Sequence, residues 1–235
     1  MTLRVAGASV AGPAHARSGV RNQDAWYARV TRSGALAVVA DGMGSRPAAR
    51  EGARTAVAAC RSAWKLWVPS PSGTGEDLVR LIEVLWRLEL GRIPPGEACT
   101  TCLVCALRPD GSGVALQLGD GLVGTRTADG TFRAVTPERT GFSSGTVALG
   151  TPHGLRDWVI EPLTPIEPGA ALLLASDGVA EDLLADQRTA FLQWIITTAE
   201  SSASPRRTLA RALRAWPVPK HLDDKTLVAV WKTST

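Results

Sequence analysis

The side chains with the most chemistry in this chain are aspartates at the ends of apolar runs. In "ALAVVADGMGS", six small apolar residues, Ala35 to Ala40, lead straight into Asp41 and Gly42. "LLLASDGVAEDL" repeats the arrangement with Asp177 and Gly178. "RNQDAWYARV" and "HLDDKTLVAVW" reverse it, placing Asp24 and the pair Asp223 and Asp224 before apolar runs. An Asp-Gly pair is first of all a hairpin signal. After Asp41, however, the chain continues as "RPAAREGARTAVAACRSAWKLW", with apolar residues at helical spacing and many Ala and Arg, so a helix follows the strand. Asp110 and Asp129 lie between polar, strand-like flanks and are expected as ordinary turns. Asp120, in "VALQLGDGLVGTR", is intermediate, because its following residues could form a return strand.

Carboxylates that end strands of one pair of sheets would converge at one edge of the core. Such a cluster is unfavourable on its own, because like charges raise each other's pKa and burial adds to the effect. A divalent cation removes the conflict. All-oxygen ligation suits Mg²⁺ or Mn²⁺, whereas Zn²⁺ draws in His or Cys. On spacing alone, the competing reading is that these aspartates serve as turn and cap residues.

Positioning them requires an ordered set of elements. "RVAGASVAG", "DAWYARVT" and "GALAVVA" read as strands, followed by helices over Ala48 to Trp67 and Glu76 to Leu90. Short strands then run from about Cys99 to Leu174, punctuated by "RPDG" and "TADG". Two more helical patterns cover Ala180 to Ala199 and Arg207 to Trp216, and "KTLVAVW" closes as a strand. Strands in groups with helices in pairs indicate an α+β layered fold, a helix-covered pair of antiparallel sheets, rather than alternating βαβ units. Without a convincing linker, residues 1–235 read as one domain.

"CTTCLVC" looks like a metal knuckle at first sight. Read as a strand, it turns Cys102 away from Cys99 and Cys105, which predicts buried free thiols in a reducing compartment. The start of the chain lacks a signal-peptide core and no apolar run reaches the ~20 residues needed to span a bilayer, so a cytoplasmic protein without membrane partners is expected. A net charge of +4 comes from scattered arginines. The densest cluster, "SPRRTLARALRAW", puts Leu209, Leu213 and Trp216 on one helical face with its arginines largely elsewhere, the pattern of a solvated amphipathic helix rather than a nucleic-acid surface.

In order along the chain, "RNQDAW", "VVADGMGS", "CTTCLV", "LQLGDGLVG", "LLLASDGVAEDL" and "DDKTLVAV" resemble the motifs of the metal-dependent, type 2C serine/threonine protein phosphatases. They span nearly the whole chain and are more similar to a compact bacterial branch than to the eukaryotic enzymes. The resemblance implies an αββα four-layer sandwich: two central antiparallel β-sheets flanked by pairs of helices, with two Mn²⁺ or Mg²⁺ ions between the sheets. By motif position, Asp41 would bridge the two ions and the Gly42 carbonyl would bind one. Asp177 and Asp223 would complete the other shell, with Asp223 preferred to Asp224. Asp24 would act directly or through a water, and Asp120 with Asp177 could support a third, weaker ion. The implied reaction is hydrolysis of phosphoserine or phosphothreonine in a protein, opposing a kinase, by attack of a water bridging the two ions. Asp41 and Asp177 would thus act through that water.

Three positions depart from the family pattern. Gly19 stands where a phosphate-binding arginine is usual, leaving Arg17 and Arg21 as candidates for that contact and His15 as a further one near the mouth. The usual "GDS" is "GDG" here, and the flap segment within Arg139 to Trp158 is short. Met43 stands where many eukaryotic members have a histidine. The rival readings are a catalytically weak regulatory or phospho-binding domain of the same fold and a hydrolase of small phosphoesters.

Overall fold

The computed structural model describes residues 2–135, 147–218 and 221–233. Its strands form two antiparallel five-stranded sheets. One has the spatial order β1 (Leu3–Val10), β10 (Lys225–Lys232), β9 (Ala171–Ala175), β6 (Leu122–Arg126), β7 (Phe132–Ala134). The other runs β2 (Asp24–Thr31), β3 (Gly34–Asp41), β4 (Cys102–Leu107), β5 (Gly113–Leu118), β8 (Val159–Leu163). The β3 sheet is covered by α2 (Ala49–Trp67) and α3 (Gly75–Glu89), and the β10 sheet by α5 (Arg188–Ser201) and α6 (Pro205–Arg214). Two short helices, α1 (Pro13–Ser18) and α4 (Asp177–Ala180), sit at the strand ends.

This arrangement is the four-layer sandwich expected from the sequence, and three apolar layers hold it together. Leu36, Val38 and Ala40 of β3 pack with Ala56, Trp64, Leu78 and Ile82 under the helices, while Ala35, Ala37 and Val39 face Leu172, Leu174, Val228 and Val230 of the opposite sheet. Because β3 is buried on both faces, it reads as an unbroken apolar run rather than an alternation. The third layer joins Leu173 and Leu227 to Leu192, Ile195, Leu209 and Leu213.

The expected hairpins at Asp110 and Asp129 are present: Arg108 N–H donates to the Ser112 carbonyl, and Thr127 N–H to that of Thr131. The cysteines are four buried free thiols; Cys102 faces Cys60 under α2 and Cys105 lies between the sheets. The arginine-rich α6 buries Leu209 and Leu213, and its Arg206 guanidinium lies over the Trp26 ring, in keeping with a solvated helix face. The single helix expected over Ala180 to Ala199 is instead broken. After the one turn of α4, the Asp182 carboxylate accepts from the Trp216 indole (2.7 Å), Leu183 turns into the core and Leu184 to solvent, and α5 begins only at Arg188. No helix among the described residues is long and apolar enough to cross a membrane.

Candidate metal centre

The layering brings strand ends together. Asp24 opens β2 directly opposite Asp41 at the end of β3. β9 runs through Ser176 to Asp177 at the start of α4, Asp223 and Asp224 immediately precede β10, and Asp120 lies on the crossing from β5 in one sheet to β6 in the other. Asp41, Gly42, Asp120, Asp177 and Asp223 thereby line one cavity of about 480 Å³. Asp24 is buried behind this wall.

Local hydrogen bonds fix the placements. The Asp41 N–H donates to Thr101 Oγ1 (2.9 Å), and its carbonyl accepts from the Thr101 N–H and the Thr100 hydroxyl (2.8 Å each). None of these bonds uses the Gly42 carbonyl oxygen. A Cβ on Gly42 would lie 2.4 Å from the Ala49 carbonyl oxygen, so the glycine is required by close packing on α2. Gly121, after Asp120, has φ of 106°, in the left-handed region where a side chain is strained; this accounts for glycine at that position. Asp24 Oδ2 accepts from the Ser176 hydroxyl (2.9 Å) and the Thr226 hydroxyl (2.6 Å), whereas its Oδ1 is buried without a partner. The buried Lys225 Nζ donates to the Asp223 carbonyl (3.0 Å).

The electrostatics are those of acids in conflict. Burial pushes the Asp24 carboxyl up to about 7, against the lowering effect of the Thr226 hydroxyl and with a further push from Asp224. Burial, then the charges of Asp24 and Asp177, holds Asp41 well above the usual carboxylate range. Asp177 is raised too, by burial and by Asp223 and Asp120, although a hydrogen bond with Asp41 works the other way. Among the described residues, no three acidic, histidine or cysteine side chains already surround a common point. The conflict therefore shows in the shared cavity and the mutually raised carboxyls rather than in a closed coordination shell. The donor set, all oxygen and with one buried carboxylate oxygen left orphaned, fits a hard divalent cation.

Arg17 and Arg21 are exposed and line no part of the cavity, while His15 and Met43 do. Both Asp223 and Asp224 border the cavity, but Asp224 is buried and spends its carboxylate on the Gly12 and Gln23 N–H groups (2.7 and 2.6 Å), which leaves Asp223 as the freer acid of the pair. Of the flap segment, residues 139–146 lie outside the described residues. The supporting roles of Thr100, Thr101, Ser176, Thr226 and Lys225 were not foreseen; their only signal in sequence is that they stand within two residues of motif aspartates or cysteines. A larger cavity of about 970 Å³ lies elsewhere, but its walls mix Arg4, Arg126 and Lys232 with Asp186 and Glu200, and Arg126 is already bound to Gln193 and the Gly169 carbonyl.

A sequence description of protein phosphatase 2C matches residues 11–216. The chain belongs to the protein phosphatase 2C family. No curated protein sequence matched it. Among solved structures, PppA, described as a key regulatory component of T6SS in Pseudomonas aeruginosa, is 22% identical over 98% of each chain, with a TM-score of 0.67. The PPM Ser-Thr phosphatase MsPP from Mycobacterium smegmatis, solved with cacodylate, is 22% identical over 97% of this chain and 98% of its own, with a TM-score of 0.61. The catalytic domain of the serine threonine protein phosphatase PstP, solved with 2 manganese ions, is 21% identical over 97% of both chains, with a TM-score of 0.62. At these identities the family fold is what is shared.

Proposed function

We propose that this member of the phosphatase 2C family is a phosphoprotein phosphatase that hydrolyses phosphoserine and phosphothreonine with the help of two Mn²⁺ or Mg²⁺ ions, opposing a protein kinase. The observation that carries the reading is the cavity lined by Asp41, Asp120, Asp177 and Asp223, with Asp24 buried behind it. A binding module has no use for so many carboxyls forced together against their own repulsion. The ions would be held by Asp41, the Gly42 carbonyl, Asp177 and Asp223, with Asp24 acting directly or through a water and Asp120 with Asp177 serving a third. When bound, such cations lower the pKa of water and offset negative charge on phosphoryl oxygens.

The chain's own residues do the rest. Thr100 and Thr101 fix the Asp41 backbone, and Ser176 at the start of α4 and Thr226 of β10 hold Asp24, so these two acids are set before any cation arrives. The described cavity lining contains no Lys or Arg. An anionic phosphate monoester entering a wall that carries five carboxylates is repelled, so substrate affinity depends on cation loading. Arg17 and Arg21, on the exposed segments around α1, are our candidates for an additional contact to phosphate.

Turnover of p-nitrophenyl phosphate and of phosphopeptides with added Mn²⁺, comparing wild type with Asp177→Asn, tests this. The wild type should turn over at least ~100-fold faster, since the variant loses a charged ligand. Equal rates would sink the enzyme reading and favour the regulatory domain, for which the absence of Lys and Arg from the described lining is the supporting observation. Turnover of small esters without peptide turnover would favour a small-phosphoester hydrolase.

A further inference from the structure

Resting on that reading, we propose that His15 is the proton donor to the leaving-group oxygen of the phosphate ester, with Asp224 as the residue that positions it. The imidazole Nδ1 lies 3.0 Å from Asp224 Oδ2, within ion-pair range but not aligned for a hydrogen bond. Asp224 is 2% exposed, and the Gly12 and Gln23 N–H groups it accepts from bracket α1 on both sides. The Ala14 N–H also donates to the Leu222 carbonyl (3.1 Å), so the short helix that carries His15 is tied to the lead of β10. Nε2 has no partner among the described residues, and the side chain lines the acid cavity at 23% exposure.

Elimination within the lining supports the assignment. Carboxylates holding cations are ionised and cannot donate a proton. Met43 has no acidic proton, and the Thr101 and Ser45 hydroxyls and the Gln23 amide are far too weakly acidic at neutral pH. His15 is the one imidazole in the described lining, the side-chain type suited to hand over a proton in general-acid catalysis. A serine or threonine leaving group departs as a strongly basic alkoxide, so a donor is needed there and not for a nitrophenolate.

The step balances. Water forms the new P–O bond and gives up one proton to solvent, while the ester P–O bond breaks and its electron pair takes the Nε2 proton. Solvent then reprotonates the imidazole.

The test compares Mn²⁺-loaded wild type and His15→Gln on a phosphoserine peptide and on p-nitrophenyl phosphate, with melting temperature and Mn²⁺ affinity measured alongside. The expected result is a loss of ~100-fold or more in kcat/KM on the peptide, little change on the aryl ester, partial rescue by added imidazole, and unchanged melting and Mn²⁺ binding. Equal losses on both substrates, or none on either, would overturn the proposal. Should the variant fold poorly, the wild type alone decides across a series of phosphate esters. A shallow dependence of rate on leaving-group basicity supports the donor, and a steep one refutes it. A wild type that hydrolyses neither substrate refutes the phosphatase reading itself, and this proposal with it.

Discussion

Asp24 offers a direct measure of what the acid cluster costs the metal-free protein. Its carboxyl is buried and moves from an ordinary 3.8 to about 7. Because the folded-state value is the raised one, the folded protein holds the proton more tightly than the unfolded chain. The protonated form therefore stabilises the fold below about pH 4, and that contribution is lost as pH rises towards 7. By pH 8 the ionised side chain costs on the order of 4 kcal/mol. Asp24→Asn removes this cost and keeps an oxygen for the Ser176 and Thr226 hydroxyls, but puts an amide N–H₂ where Oδ1 has no partner, a penalty of about 1–3 kcal/mol. The net gain at pH 8 is then about 1–3 kcal/mol, or roughly 2–12 °C for a chain of this size. Relief of the charge that raises Asp41 acts in the same direction. At pH 5 the wild-type cost is only about 1–2 kcal/mol, and the difference should nearly vanish. The assay is thermal melting in EDTA at pH 5 and pH 8, repeated with Mn²⁺, which should stabilise the wild type more than the variant. An Asp24→Asn protein that melts no higher than wild type at pH 8 without metal would refute the reasoning.

Two other outcomes are expected. Arg17→Ala and Arg21→Ala should each leave kcat nearly unchanged, and whichever side chain holds the phosphate should raise KM several-fold when removed; unchanged kinetics in both variants would take them out of the site. Glu83 accepts from the Trp158 indole and faces His153 Nε2 (2.9 Å each), so Glu83→Ala should cost about 2 kcal/mol in denaturant unfolding without altering Mn²⁺ affinity.

Much of the architecture was readable because periodicity is local. "GALAVVA" is a doubly buried strand, and "AREGARTAVAACRSAWKLW" shows the spacing of a helix with one buried face. The reading failed at Ala180 to Ala199, where propensity favours one helix but Asp182, held by Trp216 and flanked by Leu183 in the core, breaks it. That partner lies 34 residues away, beyond any local pattern.

The aspartates divide in the same way. Their position at the ends of apolar runs, and hence their candidacy for a shared hard cation, is determined by the sequence alone, because strand ends and chain order are local properties. Which of them face one cavity is decided by the tertiary structure. Asp223 and Asp224 are adjacent and chemically identical and both border the cavity, yet only Asp224 is tied by the backbone N–H groups of Gly12 and Gln23, more than 200 residues away in the chain. Likewise, Asp24 and Asp120 match equally good motifs, but only the sheet packing buries the first and opens the second to the cavity. Carboxylate pKa values follow from burial and from neighbours in space, and both come into existence only when the two sheets close on each other.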